Sequence, residues 1–159
     1  MTKFLINIIL FIFFSVFVSC TGSKKYFKAA EKLEEQGLVS DAAEYYYVSL
    51  DRKRNNTDAR IKLKEVGQKY VNSLASSFFR EYNTQQYEKS IETFEQLKAF
   101  TNKTSLLNVD LNYPQSYQDD YNKALAYYLN KNYQEASNFI NQNNFDLALK
   151  FITKIKKYD

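Results

Sequence analysis

The amino-acid sequence predicts an all-α fold, a stack of antiparallel helix hairpins with about seven helices. The 159-residue chain contains only three Gly and one Pro. A many-stranded sandwich or barrel needs a turn about every 8–12 residues, so this composition excludes such folds. Apolar residues also recur at intervals of three and four along most of the chain after residue 23, as they do on one face of a helix.

The first twenty residues form a separate segment with the composition of a secretory signal. Lys3 is its only charge, and residues 4–18 are apolar except for two polar residues. This stretch is shorter than the ~20 apolar residues of a membrane-spanning helix. Cys20, the only cysteine, follows the small residue Ser19 at the point where a signal peptidase would cut.

This arrangement resembles the signal of bacterial lipoproteins, in which such a cysteine is acylated and becomes the first residue of the mature protein. The resemblance implies a signal peptide over residues 1–19, a lipidated linker over residues 20–23, and diacylglycerol and palmitate on Cys20. Two or three acyl chains anchor a protein stably, because each buried CH₂ contributes about 0.8 kcal/mol. Thr21 replaces the Asp of many inner-membrane lipoproteins, which implies an outer-membrane anchor facing the periplasm. The alternatives are an ordinary secretory signal and an uncleaved anchor.

The composition of the mature chain limits the possible functions. Removing 19 of the 159 residues leaves 140, the size of one domain, and 21 basic against 18 acidic residues give a net charge of +3. A dedicated nucleic-acid binder would usually be more basic. The chain has no His and no Cys besides Cys20, which excludes imidazole or thiolate metal sites and the usual nucleophile pairs. Carboxylate pairs such as Glu34/Glu35 lie on polar helix faces, so we expect no enzymatic activity and no cofactor.

Seven segments have the apolar spacing of a helix. They are residues 24–36, 41–54, 58–82, 87–100, 117–130, 133–141 and 145–157. Gly37 is a typical stop for the first helix, whereas Ser40 and Asn144 are expected to cap the second and the last.

Residues 101–116 lack helical spacing and contain the only proline, Pro114, so we predict a non-helical insert there. Within it Leu107, Val109 and Leu111 alternate with polar residues, a period of two that fits an extended segment with one side buried. Long loops in compact folds are often functional. The insert is therefore expected to cover a partner-binding face, to contact a partner, or simply to fill space.

Three segments share a pattern: a turn, an apolar residue two positions later, a small residue three further on, and a large apolar residue four beyond that. Their turn residues are Gly37, Gln85 and Asn143, and their small residues are Ala42, Ser90 and Ala148. Residues 132–136 repeat the first half of the pattern. The pattern resembles the tetratricopeptide repeat (TPR) family, in which the small residue lets two helices approach closely. The resemblance covers residues 24–157, and a helical bundle without repeats is the alternative.

The TPR resemblance implies a right-handed stack of hairpins whose concave face binds partner peptides or helices. Carried over to this sequence, that face consists of the outward residues of each pair's first helix. They are Phe27, Glu31, Glu34, Asn72, Phe79, Tyr82, Tyr121, Leu125 and Tyr128. Exposed Tyr and Phe are common in partner surfaces, although these aromatic residues can equally belong to the core.

Seven basic residues between positions 51 and 70 form a candidate basic patch. They are Arg52, Lys53, Arg54, Arg60, Lys62, Lys64 and Lys69. On anionic lipid headgroups each charge would contribute about 1 kcal/mol. The alternative is a solvated helix face with local ion pairs.

Together these features predict a non-enzymatic cell-envelope lipoprotein that acts as a protein-interaction scaffold, for example as an accessory subunit of an outer-membrane assembly or secretion complex. The alternative function is binding of a small ligand or glycan by Tyr-lined walls between the insert and the fifth helix. A third interpretation is that the chain is the N-terminal part of a longer repeat array.

Overall fold

A computed structural model of the chain describes residues 22–158. Its regular structure in this range is entirely helical, which confirms the predicted all-α class. The first helix, α1, covers residues 22–35 in its described part. The others are α2 (Val39–Arg52), α3 (Thr57–Asn83), α4 (Tyr87–Ser105), α5 (Ser116–Asn141) and α6 (Phe145–Lys156). The predicted signal peptide and Cys20 lie outside the described residues.

The described residues fall into two compact units. Unit 1 contains residues 22–73 and Lys98–Asn112, and unit 2 contains Leu74–Leu97 and residues 113–158. Helices α3 and α4 each contribute one segment to unit 1 and another to unit 2.

The three repeated segments are hairpin turns with one common geometry. In each, one residue adopts the left-handed conformation, and the next residue donates its N–H to a carbonyl five positions back. The left-handed residues are Gly37 (φ 74°), Gln85 (φ 58°) and Asn143 (φ 58°). The hydrogen bonds are Leu38 to Leu33 (2.9 Å), Gln86 to Glu81 (2.9 Å) and Asn144 to Phe139 (2.8 Å). This Schellman arrangement satisfies the free carbonyls of each helix end, so the pattern predicted all three turns.

In unit 1, α1 and α2 pack along their small residues. Ala30 on α1 and Ala42 and Ala43 on α2 are fully buried. The Phe27 ring lies edge to face on Tyr46 at 5.4 Å between centroids. Small side chains at these positions let the helix axes approach while the aromatic pair fills the remaining space.

Gly22 and Ser23, which the sequence assigns to a lipidated linker, are helical instead. Ser23 is 1% exposed, and its Oγ donates to the Ser49 carbonyl at 2.8 Å. The Ser49 Oγ donates in return to the Ser23 carbonyl at 2.9 Å. Because these bonds satisfy the buried hydroxyls, the folded domain extends at least to Gly22.

In unit 2 an aromatic core joins α3, α4 and α5. The Phe78 and Phe94 rings lie 5.0 Å apart, and Phe94 stacks on Tyr121 at 4.8 Å. Ile91 and Ala124 continue this contact in a hydrophobic cluster that also contains Tyr128. Aromatic residues therefore supply much of the packing in this unit.

The predicted insert at 101–116 is shorter than expected, because α4 continues through Ser105. Thr101 Oγ1 donates to the Lys98 carbonyl at 3.1 Å, and Thr104 Oγ1 to the Thr101 carbonyl at 3.0 Å. These bonds satisfy the hydroxyls within the helix, so two buried threonines do not end it. Beyond the helix, Leu107, Val109 and Leu111 are 2%, 3% and 7% exposed, and the residues between them are exposed, as the alternation predicts.

The predicted fifth and sixth helices are one continuous helix, α5, so the described residues contain six helices instead of seven. No Gly or Pro occurs within Ser116–Asn141 to interrupt it. Asn132 was assigned to a turn, but it is 5% exposed and its Nδ2 donates to the Tyr128 carbonyl at 2.7 Å.

Two of the predicted helix starts also differ. Ser40 does not cap α2, which begins at Val39 and has no side-chain cap. α3 begins at Thr57 instead of residue 58, and Asn56 caps it by accepting the Ala59 N–H at 3.2 Å. The predicted Asn144 cap of α6 is confirmed, because its Oδ1 accepts the Leu147 N–H at 3.3 Å.

Candidate partner-binding surfaces

The unit 1 residues of the predicted concave face are largely engaged within the unit. Glu34 accepts the Tyr46 hydroxyl at 2.8 Å and an ion pair from Lys62 at 3.2 Å. Burial and this bond to a carboxylate raise the pKa of Tyr46 above its usual range. Phe27 packs on Tyr46, whereas Glu31 and Asn72 are exposed.

The unit 2 residues of that face divide into core and surface. Tyr128 is only 7% exposed, and its ring belongs to the hydrophobic cluster of this unit. Tyr82, Tyr121 and Leu125 pack against the same cluster and are partly buried. Only Phe79 is well exposed, at 54%, with its ring stacked on Tyr117 at 6.3 Å.

The ring and the hydroxyl of Tyr128 lie in different surroundings. On α5 its hydroxyl points out of the core and donates to Glu88 at 3.0 Å, while its ring packs inward. Tyr can satisfy a polar and an apolar neighbourhood at once. The sequence pattern therefore could not assign it to one side.

Most of the candidate basic patch has partners inside unit 1. Lys62 pairs with Glu34 and Lys69 with Glu65, at 3.2 and 2.8 Å. Arg52 lies over the Tyr26 ring, and Arg54 forms an ion pair with Asp51. Arg60 and Lys64 donate hydrogen bonds to backbone carbonyls. Only the Lys53 side chain has no such partner among the described residues. This arrangement favours the alternative interpretation, local ion pairs, over a lipid-binding patch.

Arg60 and Lys64 belong to a ladder that fixes the insert along α3. Arg60 donates to the carbonyls of Leu107 and Asn108, Lys64 to that of Asp110, and Gln68 to that of Asn112. The spacings match, because four helical residues rise about 6 Å and two extended residues about 6.6 Å. The insert is therefore fastened along unit 1 by three side chains one helical turn apart.

A surface that the sequence pattern did not identify lies on α6. Phe145, Leu149 and Ile152 form a stripe along this helix and are 63%, 62% and 41% exposed. We call these three residues the α6 stripe. Large apolar side chains at this spacing normally face a core. Ala148, on the neighbouring side of α6, is 2% exposed and is the face that packs within unit 2.

Unit 2 also contains a cavity of about 470 Å³. It is lined by residues of the α3–α4 turn and the start of α4, together with α5 and α6. Tyr87, Tyr127 and Phe151 supply its aromatic walls, and Asn132 and Lys131 are among its polar groups.

None of the helices within residues 22–158 is long and apolar enough to cross a membrane. The same part of the chain contains no group of three or more Cys, Asp or Glu side chains arranged to hold a metal ion. No protein family, curated protein sequence or solved structure matches the chain.

Proposed function

We propose that the protein is a lipid-anchored scaffold of the bacterial cell envelope that binds a helix of a partner protein on the α6 stripe. The observation that carries this proposal is an internal equivalence between α4 and α6. Both helices follow the same three-residue turn, with Gln85 and Asn143 as the left-handed residues. Counting from these residues, Phe145, Leu149 and Ile152 of α6 correspond to Tyr87, Ile91 and Phe94 of α4.

On α4 the equivalent positions are covered by another helix. Tyr87 lies 4.7 Å from the ring of Tyr127, and Phe94 stacks on Tyr121 at 4.8 Å. Ile91 is fully buried in the cluster with Ala124 and Tyr128. All four of these covering residues are on α5.

The α6 stripe consists of large apolar side chains, as the α4 positions do, but its residues are exposed instead of packed against another helix. An exposed, contiguous apolar stripe of this kind marks an interaction surface more often than a solvated one. The occupant that fits is an amphipathic helix from a partner, with aromatic and small residues spaced as Tyr121, Ala124 and Tyr128 are on α5. Such a helix would continue the hairpin stack by one further element, as in a TPR-like array.

A synthetic peptide of residues 116–131 tests this fit directly, because it carries the residues that cover α4. Added to the mature chain, it is expected to shift the backbone NMR signals of residues 145–156 saturably. Leu149→Glu should abolish the effect by placing a charge in the middle of the stripe. Ile61→Glu, at a residue that is 60% exposed on α3, is the matched control and should leave it unchanged.

If the peptide shifted only the signals of residues 87–94, it would be replacing the chain's own α5 on α4. That result would contradict the proposal. Equal loss of binding in the Leu149 and Ile61 variants would contradict it as well.

The anchor is the second part of the proposal, supported by the signal-like segment that ends at Cys20. Gly22, two positions after Cys20 in the sequence, is already helical, so the scaffold would be held close to the membrane surface. Without His, and with Cys20 acylated, the function proposed is recognition and not catalysis.

Growth with radiolabelled palmitate tests the anchor. We expect label in the wild-type protein and none in Cys20→Ala, with the variant released from the outer-membrane fraction. Full membrane retention of an unlabelled Cys20→Ala protein would reject the lipid anchor while leaving the α6 stripe open to its own test.

A further inference from the structure

The cavity in unit 2 has a polar floor with an unused hydrogen-bond acceptor. Asn132 is 5% exposed, and its Nδ2 donates to the Tyr128 carbonyl at 2.7 Å. Its Oδ1 has no hydrogen bond among the described residues. Every fully enclosed side-chain oxygen or nitrogen in this range has a partner, so this Oδ1 keeps some accessible surface, and Asn132 is one of the residues that line the cavity. It is positioned to accept a hydrogen bond from a ligand.

Two tyrosines form an aromatic corner at the wall of the cavity. The Tyr87 and Tyr127 ring centroids are 4.7 Å apart and their planes are tilted by 54°. Tyr127 is 55% exposed, so one side of its ring is free to pack against a ligand. A flat aliphatic face, such as the C–H face of a sugar ring, packs well against such a ring.

Two of the three lysines that line the cavity are neutralised by ion pairs. Lys154 pairs with Glu88 at 3.3 Å, and Lys89 pairs with Glu81 at 3.4 Å. Lys131 and Glu135 lie one turn apart on α5 and line the cavity together with Asn132, and neither forms an ion pair among the described residues. One free donor and one free acceptor therefore flank the Asn132 acceptor.

We propose that this cavity binds an uncharged oligosaccharide. Sugar hydroxyls both donate and accept, so they can satisfy Asn132 Oδ1, the Glu135 carboxylate and the Lys131 ammonium together, while a ring face packs on Tyr127. An anionic ligand would meet the Glu135 carboxylate, which has no ion-pair partner, and a wholly apolar ligand would leave the Asn132 oxygen unpaired. The volume is within the ~300–1,000 Å³ of small-molecule sites.

The site is separate from the α6 stripe and from the anchor. Its α6 residues, Phe151 and Lys154, lie on a different side of that helix from Leu149. The proposal therefore goes beyond the scaffold function, and neither depends on the other.

Titration of the mature chain with cellotriose and with tri-N-acetylchitotriose, followed by NMR, tests the site. We expect saturable shifts of the Asn132 side-chain amide with at least one of these uncharged trisaccharides. Tyr127→Ala should weaken binding about tenfold or more, because it removes the packing face. Glu135→Gln, which keeps the side-chain shape, should also weaken it, through loss of a charged acceptor.

Tyr133→Ala is the matched control, since Tyr133 is 68% exposed on the same helix and outside the cavity; its affinity should equal that of the wild type. Tri-alanine and inorganic phosphate serve as peptide and anion probes. Absence of binding by both trisaccharides, equal loss in the Tyr127 and Tyr133 variants, or binding of either other probe as tightly as the sugars would overturn the proposal.

Discussion

Tyr46 in unit 1 and Tyr128 in unit 2 have the same arrangement. In each, a buried ring carries a hydroxyl that reaches a carboxylate at the surface. Tyr46 donates to Glu34 at 2.8 Å and Tyr128 to Glu88 at 3.0 Å. Burial first, and then the bond to the carboxylate, raise the pKa of both phenols above their usual range. Both tyrosines therefore remain protonated, and remain hydrogen-bond donors, at physiological pH.

These raised pKa values predict a loss of stability at alkaline pH. A group with a raised folded-state pKa contributes fully below its unfolded value, about 10 for Tyr, and its contribution is lost as pH rises above that. We expect the free energy of unfolding to fall above about pH 10, and to fall less steeply in Tyr128→Phe. At neutral pH this variant should lose about 1 kcal/mol with the hydrogen bond.

Urea unfolding at several pH values measures both effects. Tyr133→Phe, at an exposed position on the same helix, should keep the wild-type profile. An alkaline slope that is identical in the wild type and Tyr128→Phe would contradict this account of Tyr128.

Some residue roles could be predicted from the sequence and others could not. The small residues Ala42, Ser90 and Ala148 were predicted to lie between close helices, and all three are buried. The side on which Tyr128 lies was not predictable, because one pattern of spacing fits both an inward ring and an outward hydroxyl. Glu34, which pairs with Lys62, and Leu107, which accepts from Arg60, are 28 and 47 residues away, so no local pattern contains these two contacts.

At the scale of elements, local signals predicted the three hairpin turns better than the ends of individual helices. Gly37 and Asn144 acted as predicted. Thr101 and Thr104, by contrast, extended α4 beyond its predicted end, and Asn132 continued α5 where a turn was expected. Polar residues end a helix only when their side chains find no partner within it, and those partners are visible only in the structure.

The left-handed conformation of Gln85 and Asn143 predicts that glycine at these two positions changes the free energy of unfolding by different amounts. Gln85 holds φ 58° at some cost, since a side chain is disfavoured in this region. Gln85→Gly should therefore raise the free energy of unfolding by about 0.5 kcal/mol, after the extra entropy of the unfolded chain is counted. Asn143→Gly should change it less, because Asn tolerates this conformation.

Gln86→Gly is the neighbouring control. Its φ is not positive, so glycine there should only destabilise, by up to about 1 kcal/mol. Urea unfolding measures all three variants, and a gain for Gln86→Gly equal to that for Gln85→Gly would contradict the strain at Gln85.

The ladder between α3 and the insert predicts a local effect. The Asn112 N–H donates to Gln68 Oε1 at 3.0 Å, and Gln68 Nε2 donates back to the Asn112 carbonyl at 2.7 Å. Gln68→Ala should speed hydrogen exchange of the Asn112 amide about fivefold or more, because both bonds are lost.

Exchange of the α6 amides should stay unchanged in that variant. Gln134→Ala, at an exposed position on α5, is the matched control. Unchanged exchange at Asn112 in Gln68→Ala would mean that the two Gln68 bonds do not hold this part of the insert.

At the scale of the whole molecule, one repeated unit explains the α6 stripe. Three hairpins share a turn and a buried small residue. In the second hairpin the apolar residues of α4 are covered by α5, whereas on α6 their equivalents Phe145, Leu149 and Ile152 are exposed. The exposure of this stripe was not predictable, because a spacing pattern cannot show whether another helix covers it.

Photo-crosslinking in the native cells tests the scaffold account most directly. A photoreactive amino acid at Leu149 is expected to give an adduct with a second protein, attached through an amphipathic helix of that protein. The same group at Ile61, which is equally exposed on α3, should give no such adduct. Adducts only with another copy of this chain, the same adduct from both positions, or none from Leu149 would contradict the account.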